Sequence, residues 1–309
     1  MIPLAKRAAI ASVTAAITLG LAKTWAVWMT GSVAVLASLA DSLLDLVASL
    51  VTLFAVHLAA QPADHDHRFG HGKAEALAAL FQVALIAVSA FFIFGQAVSR
   101  FSDGAQPSEG AIGIGVSVFA IVITLALTSY QKHIIAQTRS VAIGADRVHY
   151  QSDLLLNSAV IAALILDQYL GLTGADPLFG IAIGLWLLFG AWRAAEEAIN
   201  QLMDKEWPEE KRLRFVEIAA RHPEIRHLHD LRTRTSGNKD FVQFHMWMDA
   251  HLTVAQAHDV VERIEASFAD AFPDCEVFIH VDPEGRVDEP DNPMVEADEL
   301  AKLRARASH

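Results

Sequence analysis

Two pairs of metal-ligand side chains lie inside stretches of sequence that are otherwise apolar enough to cross a membrane. Asp41 and Asp45 are four residues apart in "SLADSLLDLVASLV", and His149 and Asp153 repeat this spacing in "DRVHYQSDLLLN". A spacing of four residues places both side chains of a pair on one face of a helix. Each charged residue at the middle of a bilayer costs about 2.5–3.5 kcal/mol, so these positions require compensation.

Two helices that face each other would combine the pairs into one site with three carboxylates and one imidazole. Carboxylates held that close repel one another unless protons or a cation neutralise them. Four oxygen and nitrogen ligands suit a tetrahedral divalent metal, above all zinc. We therefore predict an intramembrane metal site formed by Asp41, Asp45, His149 and Asp153.

Two other interpretations of these residues are possible. The polar groups could simply pair with other helices or line a water-filled cavity, but two paired motifs on separate helices favour a metal site. An intramembrane protease would need a general base beside a metal with an open coordination position, as the HExxH motif supplies, and the sequence contains no HExxH. The sequence therefore predicts a transport site rather than an enzyme.

The composition divides the chain into a membrane domain, residues 1–206, and a domain rich in charge and histidine. The chain is 53% hydrophobic and 19% charged, against about 45–50% and about 25% in typical soluble domains. The net charge of −12 argues against a nucleic-acid partner. The single cysteine, Cys275, excludes an internal disulfide and a multi-cysteine metal site.

Six stretches are long enough to span a bilayer, which takes about 20 apolar residues. They cover residues 8–29, 32–59, 75–100, 111–131, 142–169 and 177–200. Lysine and arginine concentrate on one side of these spans, which the positive-inside rule assigns to the cytoplasm. The residues concerned are Lys6, Arg7, Arg68, Lys73, Lys132, Arg139, Arg193 and Lys205. We predict a multi-pass inner-membrane protein with both termini in the cytoplasm.

The second domain, residues 207–283, has the pattern of a small α+β domain. An amphipathic helix, two strands around the "SGNK" turn, a second helix and a last strand give the order αββαβ. This order fits a sheet with its helices on one face. Residues 284–309 are acidic and contain proline, so we predict that they form a disordered tail.

Further residues of the types that bind metals lie in one loop of the membrane domain and in the soluble domain. The loop "PADHDHRFGHGK" joins the second and third spans and contains three histidines and two aspartates. Each predicted strand of the soluble domain also offers a histidine, at positions 229, 245 and 280. Alternation along a strand places His280 and Asp282 on the same face.

The motifs "SLADSLLDL", "PADHDHRFGHGKAEALAAL", "DRVHYQSDLLLN" and "HDLRTRTSG" resemble those of the cation diffusion facilitator family. The resemblance is to its bacterial zinc-efflux (YiiP-like) branch and covers residues 5–283. It implies a homodimer with six spans and a cytoplasmic metallochaperone-like domain, which exchanges a divalent metal for protons. It also implies the same four-residue transport site.

The resemblance implies three further sets of functional residues. A loop site comprises Asp64, His67 and His71, with His65 and Asp66 as additional candidates. A binuclear zinc site at the dimer interface comprises His229, His245, His258, His280 and Asp282. A charge interlock between subunits comprises Lys73 and Asp204. Relatives often have glutamine where this chain has Val281, so only a backbone carbonyl could coordinate there.

We therefore predict a divalent metal cation/proton antiporter that exports Zn²⁺ from the cytoplasm by alternating access. Zinc would serve both as cargo and as a structural or regulatory ion, and membrane lipid and protons would be the other partners. Two alternatives remain open. The same transporter could carry Fe²⁺, Cd²⁺, Co²⁺ or Mn²⁺, because one imidazole without a thiolate disfavours only soft Cu(I). Alternatively, the chain could be a membrane-anchored metal sensor that does not need its intramembrane aspartates.

Overall fold

The computed structural model describes residues 3–31, 33–103, 111–170, 175–286 and 288–307 of the chain. The chain divides into two compact units, Met1–Ile199 and Asn200–His309. The sequence places the domain boundary a few residues later, between residues 206 and 207. We describe the two units separately.

The first unit is built from six long helices. They are α1 (Leu4–Thr30), α2 (Val33–Ala59), α3 (Ala74–Asp103), α4 (Ala111–Thr138), α5 (Val141–Leu170) and α6 (Ala175–Leu202). Among the described residues, five of these helices are long and apolar enough to cross a membrane. The remaining one, α5, has 30 residues but carries Asp146, Arg147 and Asp153 within its length. A multi-pass helical membrane domain is thus confirmed.

The break between the predicted spans 111–131 and 142–169 is shorter than expected, because α4 continues to Thr138. Several residues of this extension are polar, but most of them form helices readily, and Ile134 is buried. The turn itself consists of two residues, of which Arg139 has a φ of 52°. Ser140 begins α5: its Oγ accepts a hydrogen bond from the backbone N–H of Ile143 (3.3 Å).

A buried carboxylate connects α5 to three other helices. Asp146 is fully buried and accepts hydrogen bonds from Ser12 Oγ on α1 (2.6 Å) and from Gln131 Nε2 on α4 (2.8 Å). Its other oxygen accepts from Gln82 Nε2 on α3 (3.1 Å). A buried carboxylate without such donors would be strongly destabilising. These contacts fix the position of the most polar helix within the unit.

The second unit confirms the predicted αββαβ order. Its elements are α7 (Glu209–Ala219), β1 (Leu228–Ser236), β2 (Lys239–Met248), α8 (Val254–Ala271), β3 (Cys275–Pro283) and a further helix, α9 (Glu299–Ala307). The strands form one sheet in the order β1-β2-β3, with β1 and β2 antiparallel and β2 and β3 parallel. Phe215 of α7 stacks on Phe268 of α8 at 4.2 Å between ring centroids, and both rings pack against Phe244 of the sheet.

The prediction of a disordered tail is wrong for residues 288–307. Helix α9 packs on the second unit, and Leu300 is buried in its hydrophobic core. The backbone N–H of Asp230 donates to the carbonyl of Val295 (2.8 Å), which ties the segment before α9 to strand β1. The acidic composition suggested disorder, but a few apolar residues and specific hydrogen bonds are sufficient to dock the segment.

Candidate metal centres

Three of the four predicted intramembrane ligands come together in the first unit. Asp45 of α2 and His149 and Asp153 of α5 present ligand atoms that all lie within 4.8 Å of one another. His149 Nε2 is 2.8 Å from Asp45 Oδ1, and both residues are buried. His149 Nδ1 is buried without a hydrogen-bond partner. Buried nitrogens are rarely left unpaired, so this atom also suits a bound cation or an ordered water.

Asp41 lies outside this three-residue group. Helices α2 and α5 meet at Asp45 and His149, and again at Ser49 and Tyr150, whose hydroxyl oxygens are 2.8 Å apart. Asp41 is one helical turn from Asp45 on the side away from the second contact, and it is exposed. In this conformation Asp41, the predicted fourth ligand, therefore lies one helical turn from the group and is not part of it.

A lysine on α1 lies beside the predicted ligands, although sequence reasoning did not include it. Lys23 Nζ donates to Ser42 Oγ (2.6 Å) and to the backbone carbonyl of Ser38 (3.1 Å), both on α2. These positions flank Asp41, and the ammonium interacts electrostatically with Asp41 and Asp153. The carboxylates are thus compensated partly by a resident cation of the protein itself.

The sequence did contain a signal for this residue. Lys23 is a charged residue in the interior of the first apolar span, residues 8–29. Charged residues within spans normally face the protein interior and pair with one another. The prediction of orientation considered lysines and arginines only near the span ends, and so this residue was passed over.

The loop between α2 and α3 assembles its three predicted ligands. Asp64, His67 and His71 present ligand atoms within 4.8 Å of one another. His71 Nε2 lies 3.1 Å from Asp64 Oδ2, and His67 Nδ1 lies 3.3 Å from Asp64 Oδ1. The backbone N–H groups of His67 (2.6 Å) and Asp66 (3.0 Å) donate to Asp64 Oδ1. These hydrogen bonds, first that of His67, lower the pKa of the Asp64 carboxyl below its ordinary value of 3.8.

The structure separates the two additional loop candidates from this group. His65 and Asp66 form a pair of their own at 3.4 Å, and their side chains are 98% and 86% exposed. By contrast, the side chain of His71 is only 8% exposed, and its Nδ1 is buried without a partner. The loop therefore presents a three-ligand site in which the buried Nδ1 of His71 has no hydrogen-bond partner.

The second unit brings ligands from two neighbouring strands together. His245 of β2 is in register with His280 of the parallel strand β3, and Asp282 follows two residues later. His245 Nδ1 lies 3.1 Å from Asp282 Oδ2, and His280 Nε2 lies 3.2 Å from Asp282 Oδ1. A fourth residue, Asp288, completes a group whose ligand atoms are all within 4.8 Å of one another. Sequence analysis missed Asp288 because it lies in the segment that was assigned to the tail.

His229 of β1 extends this group. It pairs with His245 in the antiparallel register, and its Nε2 is 3.6 Å from Asp282 Oδ2. The ring is 1% exposed, and neither of its nitrogens has a hydrogen-bond partner. Burial and the neighbouring His227 lower the pKa of His229, which favours the neutral imidazole that metals bind. These residues therefore fit a resident divalent metal ion.

His258 is not brought to this group within the described protomer. It lies on α8 with its side chain 66% exposed, and its Nε2 contacts Glu262 at 3.3 Å, one turn along the same helix. The prediction that His258 shares a site with the strand histidines therefore does not hold within one chain. Helical spacing directs its side chain to solvent, whereas sheet register brings the other histidines together.

The predicted interlock residues belong to different units. Lys73 immediately precedes α3 in the first unit, and Asp204 follows α6 in the second. Asp204 has a φ of 54°, and its Oδ1 lies 3.5 Å from Arg234 Nη1 of the same unit. The pairing of Lys73 with Asp204 stays a prediction.

Comparisons with known proteins cover both units. Residues 9–203 match the cation efflux transmembrane domain, and residues 207–284 match the cytoplasmic domain of cation efflux proteins. The cation-efflux pump FieF of Cronobacter sakazakii is 44% identical over 280 residues, which are 91% of this chain and 93% of the relative. The FieF pump of Salmonella arizonae is 42% identical over the same shares of the two chains.

Two solved structures are similar to part of the chain. The zinc form of CzrB is 31% identical, covering 28% of this chain and 98% of that one, with a TM-score of 0.26. The metal-bound C-terminal domain of the CzcD transporter from Thermotoga maritima is 27% identical, covering 26% and 99%, with a TM-score of 0.25. From its two matched domains and its full-length relatives, the chain belongs to the cation diffusion facilitator family of membrane transporters, which export divalent metal cations.

Proposed function

We propose that this transporter exports Zn²⁺ from the cytoplasm in exchange for protons. The observation that carries the proposal is the buried group of Asp45, His149 and Asp153 within the helical unit. Each of these side chains can bind either a proton or a divalent cation, but an atom that holds one cannot hold the other. Such a group couples the two ions by competition.

The donor set favours zinc as the cargo. One imidazole nitrogen and carboxylate oxygens are ligands that zinc accepts in tetrahedral sites. Asp41, one turn from Asp45 on α2, supplies the fourth ligand when cargo is bound. The absence of thiolate ligands among the four predicted residues disfavours Cu(I).

The group lies between α2 and α5. In this proposal, movement of these helices opens the group first to one side of the membrane and then to the other. Zinc enters from the cytoplasm and displaces protons from the carboxylates and His149. When the site opens to the opposite side, protons compete for the same atoms and release the metal. Proton binding on the more acidic side drives the cycle towards export.

The two remaining groups assist this cycle. The loop site of Asp64, His67 and His71 directly follows the helix that carries Asp45, and it suits capture of zinc on the cytoplasmic side. His229, His245, His280 and Asp282 would hold a resident zinc ion, which would stabilise the cytoplasmic domain by binding only its folded form. The protein acts as a homodimer in the inner membrane with both termini in the cytoplasm.

Flux measurements in inside-out vesicles test the proposal. The lumen of such vesicles corresponds to the periplasm, so zinc uptake should rise when the lumen is made acidic. Uptake that follows the zinc gradient and ignores the pH difference would show that protons are not exchanged. Parallel competition with Fe²⁺, Cd²⁺, Co²⁺ and Mn²⁺ identifies the preferred cargo, and a preference for one of these would replace zinc in the proposal.

A further inference from the structure

We propose that Asp288 is a metal ligand and that metal binding by Asp288 fastens the C-terminal segment, residues 288–307, to the cytoplasmic domain. This inference rests on the proposed cytoplasmic metal site. It adds a ligand from outside the predicted set, and it gives the metal a second role as a clamp for the end of the chain.

The distances within the group indicate that Asp288 is a ligand. Asp288 Oδ2 lies 3.6 Å from His245 Nδ1, and that same nitrogen lies 3.1 Å from Asp282 Oδ2. With His280, the group offers two imidazole nitrogens and two carboxylate oxygens from a single chain. Two nitrogens and two oxygens suit tetrahedral zinc. His229, 1% exposed and without a partner for either nitrogen, lies beside Asp282 and indicates independently that a ligand belongs here.

Asp288 is held near this group by hydrogen bonds on both sides. Before it, Trp247 Nε1 of β2 donates to the backbone carbonyl of Arg286 (2.9 Å). After it, the backbone N–H groups of Asp288 (3.1 Å) and Glu289 (3.0 Å) both donate to Glu296 Oε1. Hydrogen bonds therefore hold the backbone at Arg286 and at Asp288 and Glu289, which reduces the conformational entropy that metal binding must cost.

The rest of the segment is docked on β1 and on the hydrophobic core. The N–H of Asp230 donates to the carbonyl of Val295 (2.8 Å), and the N–H of Leu228 donates to Asp298 Oδ1 (3.4 Å). Leu300 of α9 is buried in the core of the domain. The turn that carries Asp288 and the helix α9 thus form one docked segment.

A bound metal would strengthen this docking through electrostatics. In the docked state the carboxylates of Asp282 and Asp288 both lie within reach of the one ring nitrogen of His245. Two carboxylates held this close repel each other unless a cation lies between them. A divalent cation converts this repulsion into two ligand bonds, so it stabilises the docked segment over the undocked one.

The segment lies outside the part of the chain that matches the family. The match to the cytoplasmic domain ends at residue 284, and Asp288 follows it by four residues. The predicted ligands that come from the resemblance all precede this limit. The clamp therefore depends on contacts of this chain that lie beyond the matched domain.

Hydrogen–deuterium exchange of the full-length protein in detergent, with zinc or with a chelator, tests the inference. In the wild type, zinc should slow exchange both in peptides that contain His245 or His280 and in peptides from residues 288–300. In Asp288→Asn, slowing should persist around His245 and His280 but disappear from residues 288–300. Zinc affinity of the domain should fall on the order of tenfold. Asp291→Asn, an exposed residue of the same turn region, serves as the matched control and should behave as the wild type.

The outcomes distinguish the cytoplasmic metal site from the clamp. No effect of zinc around His245 and His280 in the wild type would overturn the cytoplasmic site, and the clamp with it. Zinc protection there, together with unchanged exchange in residues 288–300, would leave the site standing and overturn the clamp. Identical zinc responses of Asp288→Asn and the wild type would also overturn it.

Discussion

His149 Nε2 on α5 lies 2.8 Å from Asp45 Oδ1 on α2, in a buried contact between the two helices that carry all four predicted intramembrane ligands. Ser49 and Tyr150 form a second contact between the same helices, also at 2.8 Å. Because both contacts are buried, the packing of two helices determines how far apart the ligands lie. Any movement of α2 against α5 therefore changes the ligand set, as a transport cycle requires.

Removal of a carboxylate from this group should abolish zinc flux. Asp45→Ala or Asp153→Ala leaves only three of the four proposed ligands, so the tetrahedral site is incomplete and has lost one of its negative charges. We expect flux in proteoliposomes to fall to the level of empty vesicles while the protein remains folded. Ser158→Ala on α5 is the matched control, because its hydroxyl bonds only to the carbonyl of Leu154 (2.7 Å) among the described contacts. Normal flux in either aspartate variant would contradict the assignment.

The identity of residue 149 should influence which metal is carried. His149→Asp replaces the imidazole of the group by a carboxylate and leaves only oxygen ligands, which Mn²⁺ prefers. We expect the ratio of Zn²⁺ flux to Mn²⁺ flux to fall. The ratio is measured in the same vesicle preparation with each metal in turn. An unchanged ratio would mean that His149 does not set the preference.

The charge of Lys23 should weaken metal binding and thereby assist release. Its ammonium lies beside Asp41, so the metal and the lysine compete for the same carboxylates. We expect Lys23→Met to lower the half-saturation constant for zinc flux by roughly tenfold, or about 1.4 kcal/mol, and to lower the maximal rate. Lys23→Arg should resemble the wild type.

Lys132→Met, at an exposed lysine of α4, controls for the loss of a positive charge elsewhere in the unit. A half-saturation constant for Lys23→Met that is unchanged, or higher than that of the wild type, would show that no such competition occurs.

The contribution of the Asp64 charge to zinc capture at the loop site should be the same at mildly acidic and at neutral pH. The pKa of Asp64 lies below 3.8, so the carboxylate is ionised throughout this range and would be lost only on stronger acidification. Asp64→Asn keeps an oxygen for the backbone hydrogen bonds but removes the charge. We expect it to raise the half-saturation constant by the same factor at about pH 6 and about pH 7.5.

Asp66→Asn is the matched control for the loop, because the exposed Asp66 side chain contacts His65 and the backbone N–H that donates to Asp64 is kept. An effect of Asp64→Asn that vanished at the lower pH would mean that the carboxylate takes up a proton there, contrary to its hydrogen bonding.

The thiol of Cys275 should be unreactive in the folded protein. Burial, with the nearby Asp240 carboxylate, raises its pKa to about 12, so almost no thiolate is present at neutral pH. We expect slow alkylation by iodoacetamide, with a rate that rises throughout the alkaline range, and fast alkylation in guanidinium chloride. Mass spectrometry of the intact protein measures both. Equal rates for folded and unfolded protein would contradict the effect of burial.

The sequence determined those features that repeat along a short stretch of chain. Apolar length predicted the membrane helices, although α4 extends beyond its predicted span to Thr138. Four-residue spacing placed Asp45 with Asp41 and His149 with Asp153 on helical faces, and strand alternation placed the histidines of the sheet. These patterns are visible because the backbone geometry of a helix or strand repeats after a few residues.

Only the tertiary structure decided which of these side chains meet. It brought Asp45 to His149, placed Lys23 beside Asp41, and returned Asp288 from the predicted tail to His245. Each of these contacts joins different elements of the fold, so local spacing carries no information about it. Which side chains meet depends on how helices and strands pack. A packing contact is determined by the shapes and charges of both partners together.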